Sequence, residues 1–493
     1  MLKVPRVTPA RLATFGAIVL ALGLGLYQAL VTAPWRHPDE WAHTGYAMSL
    51  SRGELPSIST PIEVPRGAAD LQAILDAQRA ENLRLGTTPR DTVWVANHPP
   101  GPYLASLPGT WLGRATDHGY LVIGSLRAAN VVAFAAAAGF TGLLARRITG
   151  NPWAGALAAA LFATSPYLSR SSALAMTDGF ALAAILAACW AATLALERDF
   201  DRRSTLVAAT AAAACGMSRL TSLVTAVAVL GAALALVSLR RRQVRWREAL
   251  AVAGPVTILS GWFYALNIVR YGDPAASEYL LDRFERSPTG SLLDVATDVD
   301  VFGRTLRTLA AGRVDRSFSD PASSPWSEPG LSAVIVLVIV GLAAAVVVGT
   351  AAWQRWTRGR ITDGAGWVRW VPLAVALVAN WLMMAQHVSG GGQPHSRYLA
   401  MAVPAGAIVV SAAVVRLGRA APLVGAGLVS AAVLLNLLGL PEVVELSWRG
   451  WGPGRARLGG DLSSTAAAAV IAAGVLTTFA AHAMRHLSQR RTG

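Results

Sequence analysis

Twelve runs of mostly apolar residues, most of them close to the length of a membrane-crossing helix, are spread along this chain. They lie at 13–33, 120–144, 152–169, 178–196, 204–218, 221–239, 249–269, 331–352, 371–388, 398–415, 421–440 and 463–484. About 20 such residues span the hydrocarbon of a bilayer. In lipid every backbone N–H and C=O must be bonded within the protein, which leaves helices for segments of this length. The expectation is an all-α integral membrane protein with about twelve transmembrane helices, a single polytopic unit over 1–493 with no separate soluble domain. Charge supports this: only 14% of residues are Asp, Glu, Lys or Arg, against about a quarter in soluble domains. The shortest run, 204–218, abuts Arg219 and is expected to be tilted, shortened or re-entrant.

The chain carries 43 Lys and Arg against 28 Asp and Glu. That basic excess invites a nucleic-acid reading, but its distribution argues for topology. With the N-terminus inside, the inside segments hold 22 of the basic residues and five of the acids, netting +17. The remainder, with 21 basic and 23 acidic residues, nets −2. Short basic loops on one side are the positive-inside pattern of a cytoplasmic face. The prediction is both termini in the cytoplasm, contact with membrane lipids and none with nucleic acid. The first run lacks the exit of a cleaved signal peptide and is expected to stay as the first span. Abundant Ala, Gly and Arg suggest a GC-rich bacterial genome, hence a bacterial cell membrane. Cys189 and Cys215 both fall in apolar runs and offer neither a disulfide framework nor a cysteine metal site.

Two extracytoplasmic segments are long, 34–119 and 271–330, and both are expected to carry short juxtamembrane helices. In the first, 69–85 sets Leu71, Ile74 and Leu75 among charges, the pattern of an amphipathic helix lying on the membrane. Short inside loops leave no room for a cytoplasmic catalytic domain. No internal repeat or matched pair of broken helices points to a transporter. Chemistry belongs at the outer face or within the membrane.

The densest polar cluster follows the first run: Pro34-Trp35-Arg36-His37-Pro38-Asp39-Glu40-Trp41-Ala42-His43-Thr44-Gly45-Tyr46-Ala47. Pro38 suits the start of a helix, with Asp39 and Glu40 in its first turn, where the dipole favours anions. Asp39 and His43, four apart, and Glu40 and His43, three apart, then share a face. A capped juxtamembrane helix with Trp41 as an interface anchor is the plain structural account. Five ionisable residues in eight positions favour a site. His37, Asp39, Glu40 and His43 also raise a metal: Glu-x-x-His spacing occurs in carboxylate metal sites, and the candidate ligands are Asp39, Glu40, His43 and Asp178, for Mg²⁺ or Mn²⁺.

An Asp-Glu pair directly after the first span resembles the membrane-embedded GT-C glycosyltransferases. The form Pro-Asp-Glu-x-x-His-x-x-Tyr-Ala is similar to the branch containing protein O-mannosyltransferases, lipid A aminoarabinose transferases and related envelope enzymes. Asn97-His98-Pro99-Pro100-Gly101-Pro102-Tyr103 resembles the family's His-Pro-Pro-x-Tyr element. Ser165-Pro166-Tyr167 through Met176-Thr177-Asp178-Gly179 resembles its second outer loop, with a second acid. Gly216-Met217-Ser218-Arg219-Leu220-Thr221 resembles its Gly-x-(Ser/Thr)-(Lys/Arg) junction, and His395-Ser396-Arg397-Tyr398 its Arg-Tyr element. Two positions depart: Gly179, where relatives often have Pro, and Gly101, where an apolar residue is usual.

The resemblance implies a glycosyltransferase with a polyprenyl-phosphate-linked sugar as donor and an envelope glycan, lipid or protein as acceptor, acting with inversion. As the donor's bond breaks, the anomeric carbon gains oxocarbenium character and the phosphate gains charge. A carboxylate takes the acceptor's proton, and cations or a divalent metal hold the phosphate. Asp39 is the expected base, its pKa raised by partial burial, and Glu40 the alternative. Substrate contacts are expected from His43, Tyr46, His98, Asp178, Arg219, His395, Arg397 and Tyr398. Plainer roles exist: Thr177 or Asp178 as a helix N-cap, Arg219 and Arg397 snorkelling to headgroups, Trp448 and Trp451 as interface anchors. A lipid or solute transporter would need ionisable groups at mid-membrane, where only neutral candidates such as Asn267 and Asn380 occur. A non-catalytic polyprenyl-lipid-binding partner would use the same arginines.

Overall fold

The computed structural model describes residues 8–310 and 366–438, apart from 36, 85–90 and 393, together with 339–344, 346, 347 and 350. Among them the structure is helical, and the only β pairing is an isolated bridge between Pro61 and Thr92. Seven helical stretches are long and apolar enough to cross a membrane, so the protein is a multi-pass membrane protein. The full set of twelve spans is not reached among the described residues. The run 463–484 and most of 331–352 lie outside them.

The principal helices are α1 (Pro9–Val31), α2 (Pro38–Ser51), α3 (Ala69–Arg84), α4 (Gly119–Thr149), α5 (Pro152–Ala163), α6 (Pro166–Ser172), α7 (Asp178–Arg198), α8 (Arg202–Ser218), α9 (Leu220–Arg241), α10 (Trp246–Tyr271), α11 (Val371–Ser389), α12 (Ala402–Val414) and α13 (Ala421–Leu438). Several predicted spans are shortened or broken. The run 152–169 yields only the 12-residue α5, because Ser165 turns its hydroxyl to the Leu168 N–H and Pro166 starts a new helix. The run 204–218 becomes the 17-residue α8, capped by Asp201 on the Ser204 N–H at 2.7 Å. It ends where Arg219 adopts extended backbone. In α10, Pro255 is followed by a π-helical turn at Thr257–Gly261; Pro supplies no N–H to the helical ladder. Gly418, at φ +60°, separates α12 from α13.

α4 packs on α1, α5 and α7; α7 on α8 and α9; α9 on α11; and α8 on α10. Small residues allow close approach, as lipid-embedded helices require. A Cβ on Gly142 would lie 2.9 Å from the Gly155 carbonyl oxygen, and one on Gly155 2.6 Å from that of Gly142. The buried core runs through α1, α4, α7, α8, α9 and α11. The 34–118 segment builds most of a second core, around Trp35, Trp41, Tyr46, Leu71, Trp94 and Tyr103, to which Ile123, Leu126, Ala175 and Ala276 also contribute. The helix expected at 69–85 forms as α3, but Leu71 and Leu75 are buried in that second core. Protein takes the apolar side of its first two turns, while Leu83 near its end stays exposed.

Candidate active site

α2 begins as its sequence dictates, with Pro38 in the first turn and His37 at the N-cap, the His37 Nδ1 accepting from the Asp39 N–H at 3.2 Å. This first turn sets two neighbouring carboxylates in different surroundings. Glu40 is fully buried. Both of its oxygens take a fork from Arg127 of α4, Nε to Oε1 at 2.9 Å and Nη2 to Oε2 at 3.0 Å. Its Oε1 also accepts from the Ala175 N–H at 2.7 Å. The same guanidinium caps the end of α1, donating to the carbonyls of Ala29, Thr32 and Ala33. Glu40 thus joins α2, α1, α4 and the segment before Asp178, with both of its oxygens engaged.

Asp39 is only half-buried, and its Oδ2 accepts from Arg397 Nη1 at 3.0 Å. Arg397 comes from the Ser396–Leu399 turn before α12. Burial by itself pushes the Asp39 carboxyl up, but His37 and Arg397 outweigh it and hold the group well below the usual carboxylate range. The expectation of a raised pKa is therefore overturned, because the cation pairs directly with the carboxylate.

The second acid is paired in the same way. Asp178 Oδ1 meets Arg219 Nη1 at 2.6 Å, and Arg219 Nε donates to Thr177 Oγ1 at 2.8 Å. Thr177 occupies the N-cap position of α7 without capping it, because its hydroxyl serves Arg219. Arg219 therefore turns inward instead of snorkelling. Among the described residues its Nη2 is buried without a partner, as is the Ser222 hydroxyl in the first turn of α9. α4 holds the segment before Asp178 through Asn130, whose Nδ2 donates to the Leu174 carbonyl and whose Oδ1 accepts from the Gly179 N–H at 2.8 Å. This accounts for Gly179: Pro would lose the N–H, and a Cβ would sit 2.6 Å from Asn130. Gly101 has a similar cause, since a Cβ there would meet the Met217 carbonyl oxygen at 2.5 Å. The Pro-Pro-Gly turn thereby seats against the junction that carries Arg219.

One cleft is lined by Asp178, Arg219, Ser222, Asn380, Arg397 and Tyr398, with apolar walls from α7 and the Ala400–Met401 stretch. Four acid and arginine positions from four separate motifs thus meet at one place. The other predicted residues fall beside it. His43 is buried, its Nδ1 2.7 Å from the Tyr103 hydroxyl. Tyr103 stacks on Tyr46 at 3.9 Å between ring centroids, and Tyr46 donates to the His98 carbonyl. The His98 Nδ1 is buried without a partner among the described residues. Burial pushes His43 down to about 3 and His98 well below its ordinary value. His395 also falls to about 3, through burial and then Arg397. Trp41 is not an interface anchor; it packs edge-on between Trp35 and Trp94. Trp448 and Trp451 lie outside the described residues.

The four metal candidates do not assemble. Asp39 faces Arg397, Glu40 faces Arg127, His43 faces Tyr103 and Asp178 faces Arg219. Among the described residues no three His, Cys, Asp or Glu are grouped to hold a metal ion. Arg127, Asn130 and Ser222 were missed in the sequence. The signal for Arg127 was available, since a charged residue inside an apolar run is costly without a buried partner.

Residues 121–263 match the family model described as dolichyl-phosphate-mannose-protein mannosyltransferase. The resemblance to GT-C membrane glycosyltransferases drawn from the motifs is thereby borne out. No curated protein matches the chain significantly. Two solved structures of ArnT from Cupriavidus metallidurans are similar. The one bound to undecaprenyl phosphate has 13% identity and a TM-score of 0.49, covering 94% of this chain and 75% of the other. The apo form has 15% identity and a TM-score of 0.48, covering 95% and 76%.

Proposed function

We propose that the chain is a GT-C membrane glycosyltransferase that moves a sugar from a polyprenyl-phospho-sugar to an envelope glycan, lipid or protein at the extracytoplasmic face of a bacterial cell membrane. The observation that carries this is the convergence of Asp178, Arg219 and Arg397 on one cleft at the ends of apolar helices, with Asp39 beside it in an ion pair with Arg397. The family match over 121–263 supports the reaction class. The positive-inside count supports an extracytoplasmic site and cytoplasmic termini.

In this reading Arg219 and Arg397 hold the donor's phosphate, the planar forks of arginine suiting its oxygens. Ser222 and the free N–H groups at the start of α9 add neutral donors. Charge that develops on the phosphate as the sugar leaves meets cations already in place. Asp39, ionised at neutral pH, accepts the acceptor hydroxyl's proton. Asp178 fixes Arg219. Glu40 serves as the anchor that sets the direction of Asp39.

The test is transfer from a polyprenyl-phospho-sugar by the purified protein. Asp39→Asn is expected to lower turnover by about 10²–10⁴-fold, the usual size of general-base catalysis. A folded Asp39→Asn protein with near-normal turnover would overturn the base role. Donor binding without transfer by the wild type would favour a non-catalytic lipid-binding partner. Assays with a chelator and with added Mg²⁺ or Mn²⁺ test for a divalent ion recruited with the substrate.

A further inference from the structure

We infer that Asp39 and the donor's phosphate compete for one guanidinium, that of Arg397, so that arrival of the phosphate unmasks the base. The inference rests on the reading of the cleft as a lipid-phosphate site and adds a coupling between that site and the proton acceptor.

Arg397 stands between two environments. Its Nη1 is 3.0 Å from Asp39 Oδ2, while the side chain also lines the cleft beside Asp178 and Arg219. Asp39 is not among the residues lining that cleft. Arg219 is differently committed: Nη1 is held by Asp178 and Nε by Thr177, with only Nη2 unpartnered. An anion entering the cleft satisfies Arg219 Nη2 and the Ser222 hydroxyl, two buried donors that lack partners. A further cation for it comes from Arg397, whose bonded partner is Asp39.

The charge count makes the competition real. Two carboxylates and two guanidiniums are formally neutral together, so an added phosphate has no spare cation to draw on. Around Asp39 stand His37 and His43 on its own helix and His395 and Arg397 on the turn that crosses it. His43 and His395 are neutral at neutral pH because burial lowers both to about 3. Arg397 is always charged and is the counter-ion bonded directly to Asp39.

The same exchange follows the chemistry. The acceptor oxygen forms its bond to the anomeric carbon as the bond from that carbon to the phosphate oxygen breaks. The electron pair stays on the phosphate, which passes from one negative charge to two. The acceptor's proton goes to Asp39, which becomes neutral. Arg397 then lies nearer the group whose charge has grown. In the resting protein the Arg397 pairing keeps Asp39 a weak base; in the loaded site that restraint is lifted.

Coupling of this kind is reciprocal. If phosphate loosens the Asp39–Arg397 pair, removing the carboxylate must tighten phosphate binding. Binding of a short-chain polyprenyl phosphate to the purified, detergent-solubilised protein gives the readout. Asp39→Asn is expected to bind it about ten-fold more tightly than wild type. Arg397→Gln is expected to bind it more weakly, and Asp39→Asn added to Arg397→Gln should have no further effect. Asp39→Ala provides the same comparison should the Asn variant fail to fold. Unchanged or weaker binding by both Asp39 variants overturns the exchange. So does a tightening that persists without Arg397, which would mean general relief of negative charge. Failure of the wild-type protein to bind the probe removes the lipid-phosphate reading itself, whereas binding that ignores Asp39 removes the exchange alone.

Discussion

Glu40 and Arg127, separated by 87 positions in the chain, form a two-pronged ion pair with both side chains almost entirely buried. The pair also collects three carbonyls at the end of α1 and the N–H of Ala175. It holds the first turn of α2, where Asp39 lies, against the segment that leads to Asp178.

Breaking that pair should cost stability. Removing one member of a buried ion pair typically costs about 3–5 kcal/mol, because the other charge is left unpaired. Glu40→Gln and Arg127→Met are each expected to lower the thermal unfolding temperature clearly, whereas Asp39→Asn should lower it far less. Folded Glu40→Gln with wild-type stability would contradict the anchoring role.

Arg219 should not be replaceable by lysine. It reaches Asp178 and Thr177 from two nitrogens and leaves a third for the cleft. Lysine offers one compact ammonium and cannot fill that fork. Arg219→Lys is expected to weaken binding of a polyprenyl phosphate about ten-fold or more, the size of one lost charged hydrogen bond. Affinity equal to wild type in a binding titration would show that Arg219 does not face the phosphate.

Gly101 should resist even a methyl group. The added Cβ would sit 2.5 Å from a backbone oxygen at Met217, and overpacking of this kind costs about 1–3 kcal/mol. Gly101→Ala is expected to lower both unfolding temperature and turnover, since it moves the turn that seats against the Arg219 junction. Gly124→Ala, in α4 with nothing within 4 Å of the new Cβ, is the control and should be neutral or slightly stabilising.

Stability should fall on acidification below neutrality. His43 and His395 are each lowered from 6.5 to about 3 by burial. Between those values the unfolded chain binds protons that the folded protein refuses, so stability rises with pH across the window and is lost as pH falls. Each group contributes a slope of up to about 1.4 kcal/mol per pH unit. Asp39 acts in the opposite region: its depressed carboxyl stabilises the fold above about 4 and loses that contribution only as pH falls further. Unfolding followed from pH 7.5 to 4.5 should show the histidine slope, and His395→Gln should flatten it. A flat wild-type profile would mean that these rings are solvated.

Orientation can be read by cysteine labelling. Cys189 and Cys215 are buried and give a quiet background. Glu278→Cys is expected to react with an impermeant reagent in intact cells, and Gln243→Cys only after permeabilisation. The reverse result would invert the topology and with it the side on which the cleft opens.

Much of this was legible in the sequence, for a local reason. Whether a segment crosses lipid depends on its own twenty residues, and where a helix starts depends on the few residues around Pro38 or Asp201. The motifs carrying Asp39, Asp178, Arg219 and Arg397 could be found because each is contiguous. What the sequence could not hold was partnership. Asp39 and Glu40 are neighbours of like chemistry, yet one meets Arg397 across 358 positions and the other meets Arg127 across 87. Those meetings decide which acid pairs with an arginine of the cleft and which is spent as an anchor. They also reversed the expected shift of Asp39, because a carboxylate's proton affinity follows the nearest charge in space. The burial of Trp41, the inward turn of Arg219 and the closeness of Gly101 to Met217 belong with them: each depends on where a distant backbone passes, which only packing determines.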